Sequence, residues 1–197
     1  MSQYFDESPQ VASAETEVVI DIGGSPLTLR TDRGVFSHGR LDPGTAVLLR
    51  TAPPPPPEGT FLDLGAGSGA LVLALARLAP RATVWAVDVN ERARQLTASN
   101  ADANGLTNVL VADPARVPPD VRFDLIWSNP PIRIGKPALH DLLSTWLRRL
   151  TPDGRAVLVV QKHLGADSLH RWLADEGWSV ERRSSRAGYR VLEVGRG

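Results

Sequence analysis

The stretch Phe123-Asp124-Leu125-Ile126-Trp127-Ser128-Asn129-Pro130-Pro131-Ile132 joins a strand-like apolar run to a rigid polar end. Proline has no backbone N–H and a fixed φ, so the two prolines end the strand and stiffen the backbone beyond it. The side-chain amide of Asn129 and the carbonyl of Pro130 would then face the space beyond the sheet edge as two acceptors for one NH2 group. Asn-Pro and Pro-Pro are also common in loops, so a plain strand-ending turn is the alternative for this stretch alone.

A second, glycine-rich stretch lies upstream, Asp63-Leu64-Gly65-Ala66-Gly67-Ser68-Gly69, between a strand-like run and a helix-like run. Glycine lets the backbone approach a ligand closely, although a plain tight turn is the simpler alternative. Gly65-x-Gly67-x-x-Ala70 also matches the dinucleotide fingerprint, and Asp88 after the next strand could hold ribose hydroxyls in either kind of site. Three features argue against a nicotinamide enzyme: Asp63, the early third glycine at Gly69 and the downstream Asn-Pro-Pro.

Strand-like and helix-like stretches alternate from residue 60 onward. We predict strands at 60–64, 82–88, 108–112, 123–128, 155–161, 178–183 and 189–194, and helices at 69–79, 91–104, 136–150 and 166–176. Such alternation predicts an α/β fold with a doubly wound, Rossmann-like sheet of seven strands. The last two strands are joined by a short loop, so we expect them to be antiparallel to each other. In such sheets ligands bind beyond the carboxyl ends of the strands.

The segment before this sheet is predicted to contain three parts. Residues 1–16 are polar without periodicity and are expected to be a flexible tail. Residues 17–59 are expected to contain a hairpin, a short helix capped by Asp42 with Pro43 at its first position, and a stiff spacer of five prolines at 53–57. Residues 60–197 form the main domain, and the whole chain is predicted to be one globular unit.

Composition limits the possible functions. The 197 residues include no cysteine, which excludes disulfides and thiolate metal sites, and the four histidines have no metal-ligand spacing. No secretory signal is evident and no apolar run reaches the ~18 residues of a membrane span, so a cytoplasmic protein is expected. The net charge of zero argues against nonspecific nucleic-acid binding by the overall field alone.

Several motifs together resemble one enzyme family. Asp63-Leu-Gly-Ala-Gly-Ser-Gly69, Asp88, Asp113 and Asn129-Pro-Pro-Ile-Arg-Ile-Gly-Lys136 are similar to motifs of the S-adenosylmethionine-dependent methyltransferases of the small-domain family. That family includes bacterial ribosomal RNA guanine-N2 methyltransferases and single-domain archaeal relatives. Further similarity runs through 34–45, 161–169 and 188–192. The two-domain ribosomal RNA enzymes carry an additional N-terminal domain, whereas residues 1–59 here are expected to supply at most a hairpin and a short helix.

For this chain the resemblance implies S-adenosylmethionine as the cofactor. The glycine loop would surround its methionine part, with Asp63 near the ammonium, directly or through water. Asp88 would accept hydrogen bonds from the ribose hydroxyls. Asp113 would contact the adenine amine, with an ordinary loop carboxylate as the alternative. The residues implied in cofactor binding are Phe36, Gly39, Asp63, Gly65, Ala66, Gly67, Gly69, Asp88, Val89, Asp113 and Asn129.

The resemblance also implies that Asn129 and Pro130 carry the catalysis. Their two carbonyl oxygens would each accept one N–H of a planar exocyclic amine and so direct the nitrogen lone pair at the sulfonium methyl. Such an amine is a poor nucleophile, so positioning, worth roughly 7 to 11 kcal/mol, is what the enzyme can add. The same oxygens would stabilise positive charge developing on nitrogen. The predicted substrate-binding residues are Pro131, Ile132 on the target ring, and Arg133 and Lys136 on a phosphate or base edge, unless the last two are merely solvated cations.

Three functions remain open from the sequence. The first is an RNA guanine-N2 methyltransferase acting on ribosomal or other RNA at a single-stranded or flipped base. The second is a methyltransferase acting on another amine or amide, such as adenine N6, a protein glutamine or a small molecule. The third is a non-catalytic RNA-binding module, against which the combination of Asp63, Asp88 and Asn129 argues. Neither a metal nor a membrane partner is expected.

Overall fold

The computed structural model describes residues 12–197, which form nine strands and five α-helices. The hairpin strands are β1 (Thr16–Ile22) and β2 (Ser25–Thr31), followed by α1 (Pro43–Thr51). The main domain then runs β3 (Thr60–Leu64), α2 (Ala70–Leu78), β4 (Thr83–Val87), α3 (Glu91–Ala103), β5 (Val109–Ala112), β6 (Phe123–Ser128), α4 (Lys136–Leu147), β7 (Leu150–Gln161), α5 (Ala166–Asp175), β8 (Trp178–Arg186) and β9 (Tyr189–Arg196).

The main sheet has the strand order β5-β4-β3-β6-β7-β9-β8. Strands β3 to β7 pair parallel to one another, whereas β9 is antiparallel to both β7 and β8. The prediction of a doubly wound seven-stranded sheet with an antiparallel final strand is therefore confirmed. The order reverses at β3, whose neighbours are β4 and β6, and the carboxyl ends of these three strands meet at one edge.

Helices cover both faces of the sheet because alternate residues of each strand point to opposite sides. In β3, Phe61 packs in the core layer that contains α2 and part of the hairpin, whereas Leu62 packs in the layer that contains α4 and α5. Both side chains are fully buried. The central strands are thus apolar on both faces, as expected of a buried parallel sheet.

Two asparagines, one in α3 and one at its C-terminal cap, attach the N-terminal hairpin to the main domain. The Asn100 amide accepts from the Arg30 backbone N–H at 2.9 Å and donates to the Arg30 carbonyl at 2.8 Å. Asn104, one helical turn later, makes the same pair of bonds to Thr28 at 3.0 and 2.7 Å. The two side chains replace a neighbouring strand along the outer edge of β2, which would otherwise expose its backbone polar groups.

The predicted boundary between α4 and β7 was wrong. The helix ends at Leu147, and β7 begins at Leu150, within the range predicted as helix. Leu150 is paired with Phe123 of β6, and the Arg149 carbonyl accepts from the Phe123 N–H at 2.8 Å. Strand pairing thus extends β7 backward through Thr151–Gly154, across a register shift between Phe123 and Leu125 that local sequence does not reveal.

The predicted flexible tail at 1–16 lies largely outside the described residues. Of its described part, Ala14 donates its backbone N–H to Asp32 at 2.6 Å, and Thr16 is the first residue of β1. Within residues 12–197, no helix has the length and apolar character needed to cross a membrane.

Candidate functional site

The glycine loop connects β3 to α2 at the edge where the sheet order reverses. Gly65, Gly67 and Gly69 all have positive φ, at 78°, 56° and 92°, a backbone region that glycine adopts without steric cost. The Gly65 N–H donates to the Val87 carbonyl at 2.8 Å, which fixes the loop to the end of β4. Gly69 precedes α2 and lies against Thr97 of α3, so its role here is to let the two helices approach each other.

Asp63 is a fully buried carboxyl group at the end of β3. Its Oδ2 accepts from the Val72 N–H at 2.9 Å, within the first turn of α2, whereas Oδ1 has no hydrogen-bond partner. Burial raises the pKa of this carboxyl to about 8, although the Val72 N–H lowers it, and the nearby charge of Asp88 raises it further. A buried carboxyl with one unpartnered oxygen is suited to a cationic ligand.

Asp88 stands at the end of β4 and faces the glycine loop. Its Oδ2 accepts from the Gly67 N–H at 2.8 Å, and its Oδ1 accepts from the Asn90 N–H at 2.9 Å. Burial raises the pKa of Asp88, and the backbone N–H groups and Arg94 act in the opposite direction. Asp63 and Asp88 therefore form a pair of carboxyl groups that a nearby cation would favour in the charged state.

Arg94 of α3 connects the two predicted ribose and adenine contacts and was missed by the sequence analysis. Its Nη1 donates to the carbonyls of Asp88 and Val89 at 2.8 and 2.7 Å and lies 3.2 Å from Asp113 Oδ2. Asp113 also accepts from the Ala115 N–H and so caps the short turn after β5. The Val89 side chain itself is exposed.

The segment between the hairpin and α1 closes one side of the site. Val35 is buried against Ala93 and Leu96 of α3, which places Phe36 over the glycine loop next to Gly67. Gly39 was predicted to line the cofactor, but it is exposed and its N–H donates to Thr31 of the hairpin. The structure thus brings Phe36 into the site and places Gly39 at its margin.

Asn129 follows β6 and is anchored from α1. Its Nδ2 donates to Asp42 Oδ1 at 2.7 Å and to Thr45 Oγ1 at 3.2 Å. Next to it, the Ser128 hydroxyl donates to the Leu64 carbonyl at 2.6 Å, which holds the end of β6 against β3. The carbonyl of Pro130 accepts from the Ile132 N–H at 2.8 Å, so one of its two lone pairs is already in use.

An open cleft lies between the glycine loop, Asp63 and Asn129, whereas Asp88, Val89 and Asp113 do not line it. Of the residues predicted from the sequence, those that line it are Phe36, Asp63, Gly65, Ala66, Gly67 and Asn129. Asp42 and Thr45 also line the cleft, which the sequence analysis did not anticipate, because the capping pattern at Asp42 indicated only the start of α1.

The other predicted substrate residues lie just beyond Asn129. Ile132 begins a short 3-10 turn and is half-buried against the core layer of α4. Arg133 and Lys136 are exposed, and Pro131 is half-buried. Within residues 12–197, no group of three or more His, Asp or Glu side chains is arranged to hold a metal ion.

Comparisons with known proteins place this geometry in context. The family model described as "Methyltransferase small domain" matches residues 26–193. The Bacillus subtilis protein YbxB, described as uncharacterized, is 33% identical over 194 residues, which cover 97% of this chain and 96% of YbxB. Ribosomal RNA small subunit methyltransferase C of Salmonella choleraesuis is 35% identical over 143 residues, covering 73% of this chain and 41% of that protein.

Among solved structures, the 16S rRNA N2 methyltransferase RsmC of T. thermophilus, in complex with AdoMet and guanosine, superposes with a TM-score of 0.75. The identity is 29%, and the match covers 96% of this chain and 52% of that one. The chain therefore spans nearly the whole of YbxB but about half of these two ribosomal RNA methyltransferases.

Proposed function

This chain belongs to the methyltransferase small domain family of S-adenosylmethionine-dependent methyltransferases, and from that premise we propose that it methylates the exocyclic N2 amine of guanine in RNA, with ribosomal RNA as the expected substrate. The observation that carries the proposal is that Asn129 lines the same cleft as Asp63 and the glycine loop. A group that can hold an amine thus lies beside a site suited to a cationic cofactor. We place the enzyme in the cytoplasm, where ribosomal RNA occurs.

The chemistry of the site fits S-adenosylmethionine. Asp63 has an unpartnered, buried carboxylate oxygen that the ammonium of the methionine part would satisfy. Asp88 lies against Gly67 at the end of the next strand, as a ribose-binding carboxylate would. Gly65 has open space where a Cβ would stand, so the backbone there can be approached closely. When bound, the cofactor supplies an electrophilic methyl group on a sulfonium.

The residues of the chain would supply position and electrostatics. In the proposed reaction, Oδ1 of Asn129 accepts one N–H of the target amine, and the remaining lone pair of the Pro130 carbonyl accepts the other. Both contacts strengthen as positive charge develops on the nitrogen, so they favour the transition state over the ground state. The proton would leave to solvent after methyl transfer.

The choice of RNA rests on relatives, namely the ribosomal RNA methyltransferases with which this chain aligns. Arg133 and Lys136 are exposed beside Asn129 and, in the proposal, contact phosphate. A base inside a duplex is stacked, so the target guanine would have to be single-stranded or flipped.

The test uses total RNA from a strain that lacks the gene. Purified protein and radiolabelled S-adenosylmethionine are incubated with this RNA, which is then digested to nucleosides. We expect label in N2-methylguanosine, and none with the Asn129→Ala variant as the matched control. Label in another nucleoside would contradict the guanine assignment. Absence of label in RNA, with cofactor binding confirmed, would favour a protein or small-molecule acceptor.

A further inference from the structure

The side-chain amide of Asn129 has two possible orientations, which exchange its oxygen and its nitrogen. It can accept an N–H from the target amine only when the oxygen, and not the nitrogen, faces that amine. Its surroundings decide between them. Asp42 Oδ1 lies 2.7 Å from the amide nitrogen, and Thr45 Oγ1 lies 3.2 Å from it. An ionised carboxylate can only accept hydrogen bonds, so the NH2 end of the amide must face Asp42. The exchanged orientation would set two acceptor oxygens against each other.

Asp42 is itself held in place by α1. It is the N-cap residue of that helix, and the same Oδ1 atom accepts from the Thr45 backbone N–H at 2.8 Å. One oxygen therefore receives two N–H groups, one from the start of α1 and one from Asn129. Such charge-assisted bonds are shorter and stronger than neutral ones.

Packing around the cap leaves little room for Asp42 to move. A Cβ on Gly44 would stand 3.0 Å from Asp42 Oδ1 and 2.9 Å from the Tyr189 ring, so the absence of a side chain there allows all three residues to approach. Thr45 is buried, and Asp42 is half-buried. The N-cap of α1 is thus a rigid support beside Asn129.

We propose that Asp42 is a positioning residue, which fixes the Asn129 amide with its nitrogen toward α1 and its oxygen available to the acceptor amine. The effect of this orientation on catalysis rests on the proposed function, in which Asn129 binds the acceptor amine. Asp42 lies 87 residues before Asn129 in the sequence. The proposal therefore gives the N-terminal segment a function at the site, the orientation of the Asn129 amide, that the glycine loop does not supply.

Two substitutions at Asp42 separate positioning from helix capping. Ser caps a helix about as well as Asp, so Asp42→Ser should preserve α1, but its shorter side chain removes the partner of Asn129. Asp42→Asn keeps an oxygen of the same reach and can serve both N–H groups. Thr45→Val retains the backbone N–H and the side-chain shape while removing the longer of the two contacts, so it is a second, milder variant.

We expect Asp42→Ser to lower kcat for methyl transfer by about 10- to 100-fold, the factor that corresponds to loss of a hydrogen bond to a charged group. The KM for S-adenosylmethionine and the melting temperature should stay close to those of the unmodified protein. Asp42→Asn should recover activity to within a few-fold of the unmodified protein, and Thr45→Val should lose only a few-fold. An unchanged kcat in Asp42→Ser, or an equal loss in Asp42→Asn, would overturn the proposal.

A spectroscopic measurement makes the test independent of the reaction. In 15N-labelled full-length protein, the side-chain NH2 signals of Asn129 are identified by their loss in Asn129→Ala. We expect them at hydrogen-bonded shifts in the unmodified protein and in Asp42→Asn, and at free-amide shifts in Asp42→Ser. Free-amide shifts in the unmodified protein would refute the inference. Absence of methyl transfer by the unmodified protein would instead refute the proposed function, while these shifts would still report on Asp42.

Discussion

Asp63 provides a quantitative test of how the site holds its cofactor. The carboxyl is fully buried, has one unpartnered oxygen, and has a pKa raised to about 8, chiefly by burial. If the cofactor ammonium binds only the ionised form of Asp63, binding at lower pH also requires Asp63 to release its proton. The apparent Kd is then multiplied by one plus the ratio of protonated to ionised Asp63.

With a pKa of about 8, that factor is about 2 at pH 8, about 11 at pH 7 and about 100 at pH 6. Because the α-amino group of the cofactor is itself partly uncharged at pH 8, we expect the net affinity for S-adenosylmethionine to fall only about two- to threefold from pH 8 to pH 7, and about eightfold from pH 7 to pH 6. Above pH 8 the affinity should stop increasing, because the α-amino group of the cofactor, with a pKa of about 7.7–8.0, is then mostly uncharged.

The matched control is Asp63→Asn, which keeps the shape and can still accept from Val72 but cannot ionise. Its affinity at pH 8 should be about 10- to 100-fold weaker than that of the unmodified protein, as expected for loss of a charged hydrogen-bond partner. The affinity of this variant should depend less steeply on pH, because of the two carboxyl groups only Asp88, whose pKa is also raised, can still ionise. Isothermal titration calorimetry from pH 6 to 9 measures both effects. Parallel pH profiles for the two proteins would refute the assignment.

The same shift has a consequence for stability. The folded protein holds the Asp63 proton up to about pH 8, whereas the unfolded chain releases it near the ordinary aspartate pKa of 3.8. The native state thus binds more protons between these limits, so the contribution of Asp63 to stability is complete below about pH 4 and is lost as the pH rises to about 8. We expect cofactor-free Asp63→Asn to melt at a higher temperature than the unmodified protein at pH 8. Equal melting temperatures at pH 8 would contradict the proposed cost of charging Asp63.

Three further predictions concern other parts of the site. Asn129→Ala should lower methyl transfer by orders of magnitude and leave cofactor affinity nearly unchanged; equal loss of both in rate and binding assays would contradict its place on the acceptor side. Asp88→Ala should weaken cofactor binding by roughly 1.5 to 3 kcal/mol, the value of a charge-assisted contact, as measured by calorimetry, and unaltered affinity would mean that the ribose is held elsewhere. Asn100→Ala should lower the free energy of unfolding in urea by roughly 3 kcal/mol, because it leaves two half-buried backbone groups of Arg30 and the buried carbonyl of Ser68 without partners; a change below about 0.5 kcal/mol would show that the hairpin does not depend on this amide.

The sequence alone determined most of the fold. The glycine loop, the Asn-Pro-Pro turn and the positions of the seven sheet strands all follow from local signals, since apolar periodicity and Gly or Pro punctuation act over a few residues. The edge at which Asp63, Asp88 and Asn129 meet followed as well, because the carboxyl ends of parallel strands share one side of a sheet. The early start of β7 was not predictable in this way, since pairing with Phe123 rather than local propensity decides it.

Only the tertiary structure revealed what orients the functional groups. Asp42 had a local explanation as the cap of α1, and nothing in the sequence indicated that its oxygen also holds Asn129. The same is true of Arg94, which joins Asp88 to Asp113, and of Asn100 on the hairpin edge. Asp42 and Asn100 meet partners 87 and 70 residues away in sequence, and Arg94 joins the carboxyl ends of two different strands. None of these side chains shares a periodic pattern with its partners. Their pairing depends on how the packed elements are placed, so it is fixed by the folded structure and not by any local stretch of the chain.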